Sequence, residues 1–124
     1  MKLTKNFSKS EFDCSCGCDM PLGVLHNVQK LANQLQELRN VVGSPIKINS
    51  GYRCTDYNDN VVKGAKNSQH KLGKAADIVI DDMTPQETFE LIDLLINEGE
   101  LLQGGLSAYS TFTHYDIRKT KARW

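Results

Sequence analysis

Three side chains in the second half of the chain are of the types that hold a catalytic metal. They are His70 and Asp77, in Ser68-Gln-His-Lys-Leu-Gly-Lys-Ala-Ala-Asp77, and His114, in Thr113-His-Tyr-Asp116. Two imidazoles and one carboxylate fill three positions of a tetrahedral Zn²⁺ and leave the fourth open, the pattern of a catalytic rather than a structural zinc. Water in that fourth position becomes acidic enough to act as a nucleophile near neutral pH. Together the three imply a small zinc hydrolase. Taken singly they say less: His70 alone suits a surface histidine, and Asp77 alone suits a salt bridge or a loop-capping hydrogen bond. Two features favour the joint reading. Asp77 stands in the otherwise apolar Ala75-Ala-Asp-Ile-Val-Ile80, where an unpaired carboxylate is costly. Gly73, Ala75 and Ala76 are small enough for the backbone to turn and bring His70 and Asp77 to one point.

Other groups could serve such a centre. Arg53, in Asn49-Ser-Gly-Tyr-Arg-Cys54, follows a strand end, and loops so placed commonly carry function. Its guanidinium suits a substrate carboxylate or a developing oxyanion. Strand alternation points Phe112, His114 and Asp116 to one face, which puts Asp116 in reach of His114 or of the zinc water. His26 falls off the apolar seam of its helix and reads as solvated. Cys14, Cys16 and Cys18 alternate, while Cys54 stands alone. That run is too tight for a zinc ribbon, yet three thiolates and a fourth from Cys54 can close a structural metal site. A disulfide and free thiols are the alternatives, and spacing does not choose among them.

The elements that must position these groups are legible from periodicity. Val24, Val28, Leu31, Leu35, Leu38 and Val42 recur at steps of four and three, which predicts an amphipathic helix begun near Pro21 and stopped by Gly43-Ser-Pro45. Ile46–Ser50 alternates as a short strand. A polar loop runs from Arg53 to Lys71, and Ala75–Ile80 is a buried strand. Thr84-Pro-Gln-Glu87 offers an N-cap, a first-turn proline and a capping-box glutamate, opening a helix that ends near Gly99. Gly104–Tyr109 and Phe112–Arg118 read as the arms of a hairpin. Two main helices on a small, mostly antiparallel sheet of at least four strands make an α+β fold.

Composition limits the alternatives. The length of 124 residues suits one domain over 1–124, with a cysteine-containing segment at 1–20. Fifteen basic and fifteen acidic residues cancel, which disfavours a nucleic-acid or membrane-surface binder, including a cysteine-cluster zinc protein on DNA. The opening residues lack a signal-peptide core and no apolar run reaches the ~20 residues of a membrane span. Synthesis in the cytoplasm as a monomer is expected.

The segments Ser50-Gly-Tyr-Arg53, Asn58, Ser68–Asp77, Gly104–Tyr109, Phe112–Arg118 and Ala122-Arg-Trp124 together resemble the zinc D-alanyl-D-alanine carboxypeptidases. That family includes vancomycin-resistance dipeptidases and phage L-alanyl-D-glutamate endolysins, and shares its fold with the hedgehog amino-terminal domain. Phe7-Ser-Lys-Ser-Glu-Phe-Asp-Cys14 looks like the start of phage and prophage members. The resemblance implies Zn²⁺ on His70, Asp77 and His114, a carbonyl-polarising and substrate-binding Arg53, and Ser68 near the substrate. It implies hydrolysis of peptidoglycan stem peptides, as a carboxypeptidase or endopeptidase, in a phage lysis or virion role at the cell wall. The sequence departs from the family at Thr111, where an acid usually serves as base, at Phe112, where some members carry histidine, and at Ser107, where a glycine is usual. Asp116 then becomes the substitute base, with orientation of His114 as its rival role. The alternative to a peptidase is an inactive zinc-binding wall-binding or structural phage protein.

Overall fold

A computed structural model describes residues 1–124. Helix α1 spans Leu22–Val42 and α2 spans Pro85–Asn97; strands β1 (Ile46–Ser50), β2 (Ala75–Ile80), β3 (Gly105–Ala108), β4 (Thr113–Asp116) and β5 (Ala122–Arg123) form one sheet in the order β1-β2-β4-β3-β5. All pairings are antiparallel except β3 with β5. The fold is α+β with a mostly antiparallel sheet, as the periodicity predicts, and its five strands agree with the expected at least four.

The α1 seam is buried at Val28, Leu31, Leu35 and Leu38, and Val24 and Val42 pack against the same core. That core is completed by Ile78 and Ile80 of β2, Ile92, Leu95 and Ile96 of α2, Leu106, Tyr115, and Phe7 and Phe12 from the amino-terminal segment. His26 is exposed on α1, as its position off the seam predicts. The α2 start is a capping box: Thr84 Oγ1 accepts from the Glu87 N–H, and Glu87 Oε1 accepts from the Thr84 N–H.

Alternation divides β2 and β4 between two tasks. Ala76, Ile78 and Tyr115 join the apolar core, so Asp77, His114 and Asp116 face the other way. The register then lines up Ser50, Asp77, His114 and Ser107 across β1, β2, β4 and β3. A bulge between Ile48 and Ser50 sets the last residue of β1 opposite Asp77; such bulges re-aim side chains beside functional sites.

The polar 53–71 loop is more ordered than its composition predicts. It contains a wide helical turn at Tyr57–Val62 and a tight one at Gln69–Leu72. Local side-chain bonds explain both. Asn58, fully buried, donates to Ala65 O, and Ser68 Oγ accepts from the His70 N–H. Gly73 ends the second turn at φ +74°, where a Cβ would stand 2.7 Å from Val24 Cγ1 on α1. Only glycine combines that backbone with that approach.

Candidate metal centre

The tight turn delivers His70, the middle of β2 delivers Asp77, and β4 delivers His114. All three are buried, and their ligand atoms lie within 4.8 Å of one another. His70 Nε2 is 3.2 Å and His114 Nδ1 is 3.1 Å from Asp77 Oδ1. Ligands at about 2.0 Å around a tetrahedral zinc stand roughly 3.3 Å apart, so the spacing suits such an ion.

Hydrogen bonds select the tautomers. His70 Nδ1 lies 2.7 Å from the Gly51 carbonyl, which can only accept, so Nδ1 carries the proton and Nε2 keeps its lone pair. His114 Nε2 lies 2.7 Å from Asp116 Oδ2 and donates to it, freeing Nδ1. Two lone pairs and a carboxylate oxygen then meet at one point. Three acceptors so placed repel each other unless a cation lies among them. In the metal-free chain a proton on His114 can fill that role. Burial works against both charges, yet the outcome follows the hydrogen bonds: above all the bond from His114 holds Asp77 well below the usual carboxylate range, while Asp116 and Asp77 raise His114.

Asp116 is fully buried, and its oxygens are occupied. Oδ1 accepts from the Gly105 N–H (2.8 Å), the Arg118 N–H (3.1 Å) and Arg118 Nε (2.9 Å); Oδ2 accepts from His114 Nε2 and from Arg118 Nη2, both at 2.7 Å. Burial pushes its carboxyl up, but these donors hold it well below the ordinary range. It shares the His114 face, as alternation predicts, yet it binds the far side of the ring and does not line the cleft.

The three candidate ligands open onto a cleft of about 400 Å³ walled by Arg53, Ser68, Tyr109, Phe112, Arg118 and Trp124, among others. Arg53 Nη2 donates to Asp77 Oδ2 at 3.1 Å, and its Nε donates to Ser50 Oγ at 3.0 Å. Ser68 is on the cleft wall, and its Oγ accepts from the His70 N–H. Thr111 sits exposed at the hairpin tip, outside the cleft.

Periodicity alone overlooked the opposite wall. Arg118 lies under Trp124, its guanidinium carbon 5.2 Å from the ring centroid. Trp124 packs 5.1 Å from the His114 ring and donates from Nε1 to the Tyr109 hydroxyl at 2.7 Å. Ser107, at the position where a glycine was expected, donates from Oγ to the Trp124 carbonyl at 2.7 Å. Its hydroxyl therefore fixes the cleft wall. The closing Ala-Arg-Trp motif was the one available signal for this wall.

The four cysteines also converge: all their sulfurs lie within 4.8 Å of one another, joining Cys14, Cys16 and Cys18 to Cys54.

The Peptidase M15 family profile matches residues 5–116, so the chain belongs to that family of zinc-dependent peptidases. Comparison with curated proteins gives no match.

Proposed function

We propose that the protein is a zinc peptidase that cleaves peptidoglycan stem peptides. The observation that carries this reading is the buried His70–Asp77–His114 group opening into a cleft with a guanidinium on either side. His70 Nε2, an Asp77 oxygen and His114 Nδ1 would hold the ion. Zinc bound there supplies Lewis acidity toward a peptide carbonyl and toward water.

The chain's own groups have separable tasks. Gly51 O and Asp116 hold the two imidazoles in the tautomers that leave one nitrogen of each free, as carboxylate and carbonyl partners of metal-bound histidines do. Arg53, anchored on Asp77 and Ser50, stabilises negative charge on the scissile carbonyl oxygen. Arg118 and Arg53 suit the carboxylates of stem peptides, since guanidinium pairs with carboxylate through two parallel hydrogen bonds. Trp124, Tyr109 and Phe112 exclude water and limit the width of the substrate. Asp116 is assigned to orientation rather than to proton abstraction, because five donors enclose it.

A non-hydrolytic wall-binding module is the second reading. One observation favours it: Asp77 is the only carboxylate on the cleft wall, so no spare acid stands there as a general base. Digestion of purified peptidoglycan with zinc-loaded and chelated protein, followed by mass spectrometry of the muropeptides, separates the two. Release of D-alanine or of shortened stem peptides only with zinc supports the peptidase. An unchanged muropeptide profile with tight sedimentation on the wall would replace it with the binding module.

A further inference from the structure

The cysteine cluster stands apart from the cleft and nothing in the proposed hydrolysis uses it. Cys54 Sγ lies 3.9 Å from Cys14 Sγ and 3.6 Å from Cys16 Sγ, and the four sulfurs gather around one point. Four thiolates at 2.3 Å from a tetrahedral zinc stand about 3.8 Å apart along each edge. A disulfide would need only a pair, joined at about 2.0 Å, and gives no reason for four sulfurs to converge.

Backbone N–H groups favour the charged form of three of the four sulfurs, while the neighbouring Cys16 pushes the Cys18 thiol well up in the metal-free chain, a crowding that a cation at the centre would relieve. The Cys54 N–H donates to Cys14 Sγ, the Cys18 N–H to Cys16 Sγ and the Tyr57 N–H to Cys54 Sγ, each at 3.4 Å. Gly17, at φ +83° between two of the cysteines, turns the chain so that both reach the same centre. We propose that Cys14, Cys16, Cys18 and Cys54 form a second metal centre, a closed tetrathiolate site for zinc. On loading, each thiol releases its proton to solvent, and four thiolates with one Zn²⁺ carry a net charge of two minus. No oxidant takes part.

The placement gives the centre a task. Cys54 directly follows Arg53, and the same loop is tied to His70 twice, by Arg53 N–H to His70 O (3.0 Å) and by His70 Nδ1 to Gly51 O. Phe12 O accepts from the Tyr52 N–H at 2.8 Å. A metal on the cysteines would staple the amino-terminal segment to the loop that aims Arg53.

Elemental analysis of the purified full chain and Co²⁺ substitution test this centre independently of the cleft. The wild type should hold two zinc ions per chain, and a His70→Ala/His114→Ala double variant should keep one. Cys16→Ser and Cys18→Ser, both at exposed positions, should each lose the cysteine-bound ion and keep the cleft ion. Cobalt-loaded double variant should show the intense near-ultraviolet thiolate charge-transfer band and visible bands of tetrahedral sulfur ligation. If the double variant holds no metal, if cobalt gives no thiolate band, or if mass spectrometry shows a Cys54 disulfide, the centre does not exist. Loss of the cleft reading would look different: one ion in the wild type, kept by the histidine double variant and lost with Cys16→Ser.

Discussion

At the scale of single residues, the candidate metal group depends on what lies behind each candidate ligand. Asp116 holds His114 in the tautomer that frees Nδ1, and asparagine cannot do so while keeping the Arg118 pair. Asp116→Asn is therefore expected to weaken zinc binding about 10–100-fold, the usual cost of losing such a partner; a competition titration against a chromogenic chelator measures it. Unchanged affinity would return Asp116 to the role of proton acceptor. Arg53 should behave differently, because on the proposed reading it faces developing charge. Arg53→Ala is expected to lower turnover by roughly 10²–10³, with full zinc content at saturating metal. A variant at wild-type rate would place the substrate elsewhere in the cleft.

At the scale of elements, the sheet presents two of the candidate ligands, Asp77 and His114, and the loops supply His70 and complete the site. Gly51 marks the join. A Cβ there would stand 2.7 Å from Phe12 Cα and 2.9 Å from Phe12 O, both backbone atoms that cannot swing aside. Gly51→Ala should destabilise the fold by about 1–3 kcal/mol, as overpacking typically does, read from the urea midpoint. Both helices and β1 were legible in the sequence because one buried face imposes a period of 3.6 or 2 on the residues, whereas β2, buried on both faces, was legible as a short apolar run. The candidate ligands were legible for a related reason: a carboxylate in an apolar strand demands a partner. The turns at 57–62 and 69–72 were not, since they rest on Asn58 and Ser68 bonding to nearby backbone rather than on any period. The enclosure of Asp116 was also hidden. Its donors Gly105 and Arg118 reach it through the β3–β4 register and a local turn, and neither leaves a mark on alternation.

For the whole molecule, the charged cluster makes stability depend on pH in opposite directions on its two sides. Asp77 and Asp116 have carboxyls lowered in the fold. Their contribution is complete above the unfolded carboxyl value of about 3.9 and drains away as pH falls below it. His114 is raised, so its contribution is complete below the unfolded imidazole value of about 6.5 and is lost as pH rises through its folded value. The chelated protein should therefore have its highest Tm between roughly pH 4 and 6.5, falling on both sides. Zinc bound as proposed would displace the His114 proton, so the loaded protein should lose the alkaline decline and keep the acid one. Thermal melts across pH, with and without chelator, check this. An alkaline decline identical in both forms would mean that His114 does not bind the ion.

The row Ser50–Asp77–His114–Ser107 runs across paired strands, whereas Arg53 and Ser68 belong to the segment between β1 and β2. Amide hydrogen exchange should therefore divide the site by rate. Asp77 and His114, locked in central strands, should exchange only when the whole domain opens, and residues 55–68 through much smaller openings. On the proposed reading, gentle heating would loosen Arg53 and His70 together, both in the segment between β1 and β2, before Asp77 and His114 in the strand row. Loss of activity and weakening of metal binding would run together on one clock, and unfolding on a slower one.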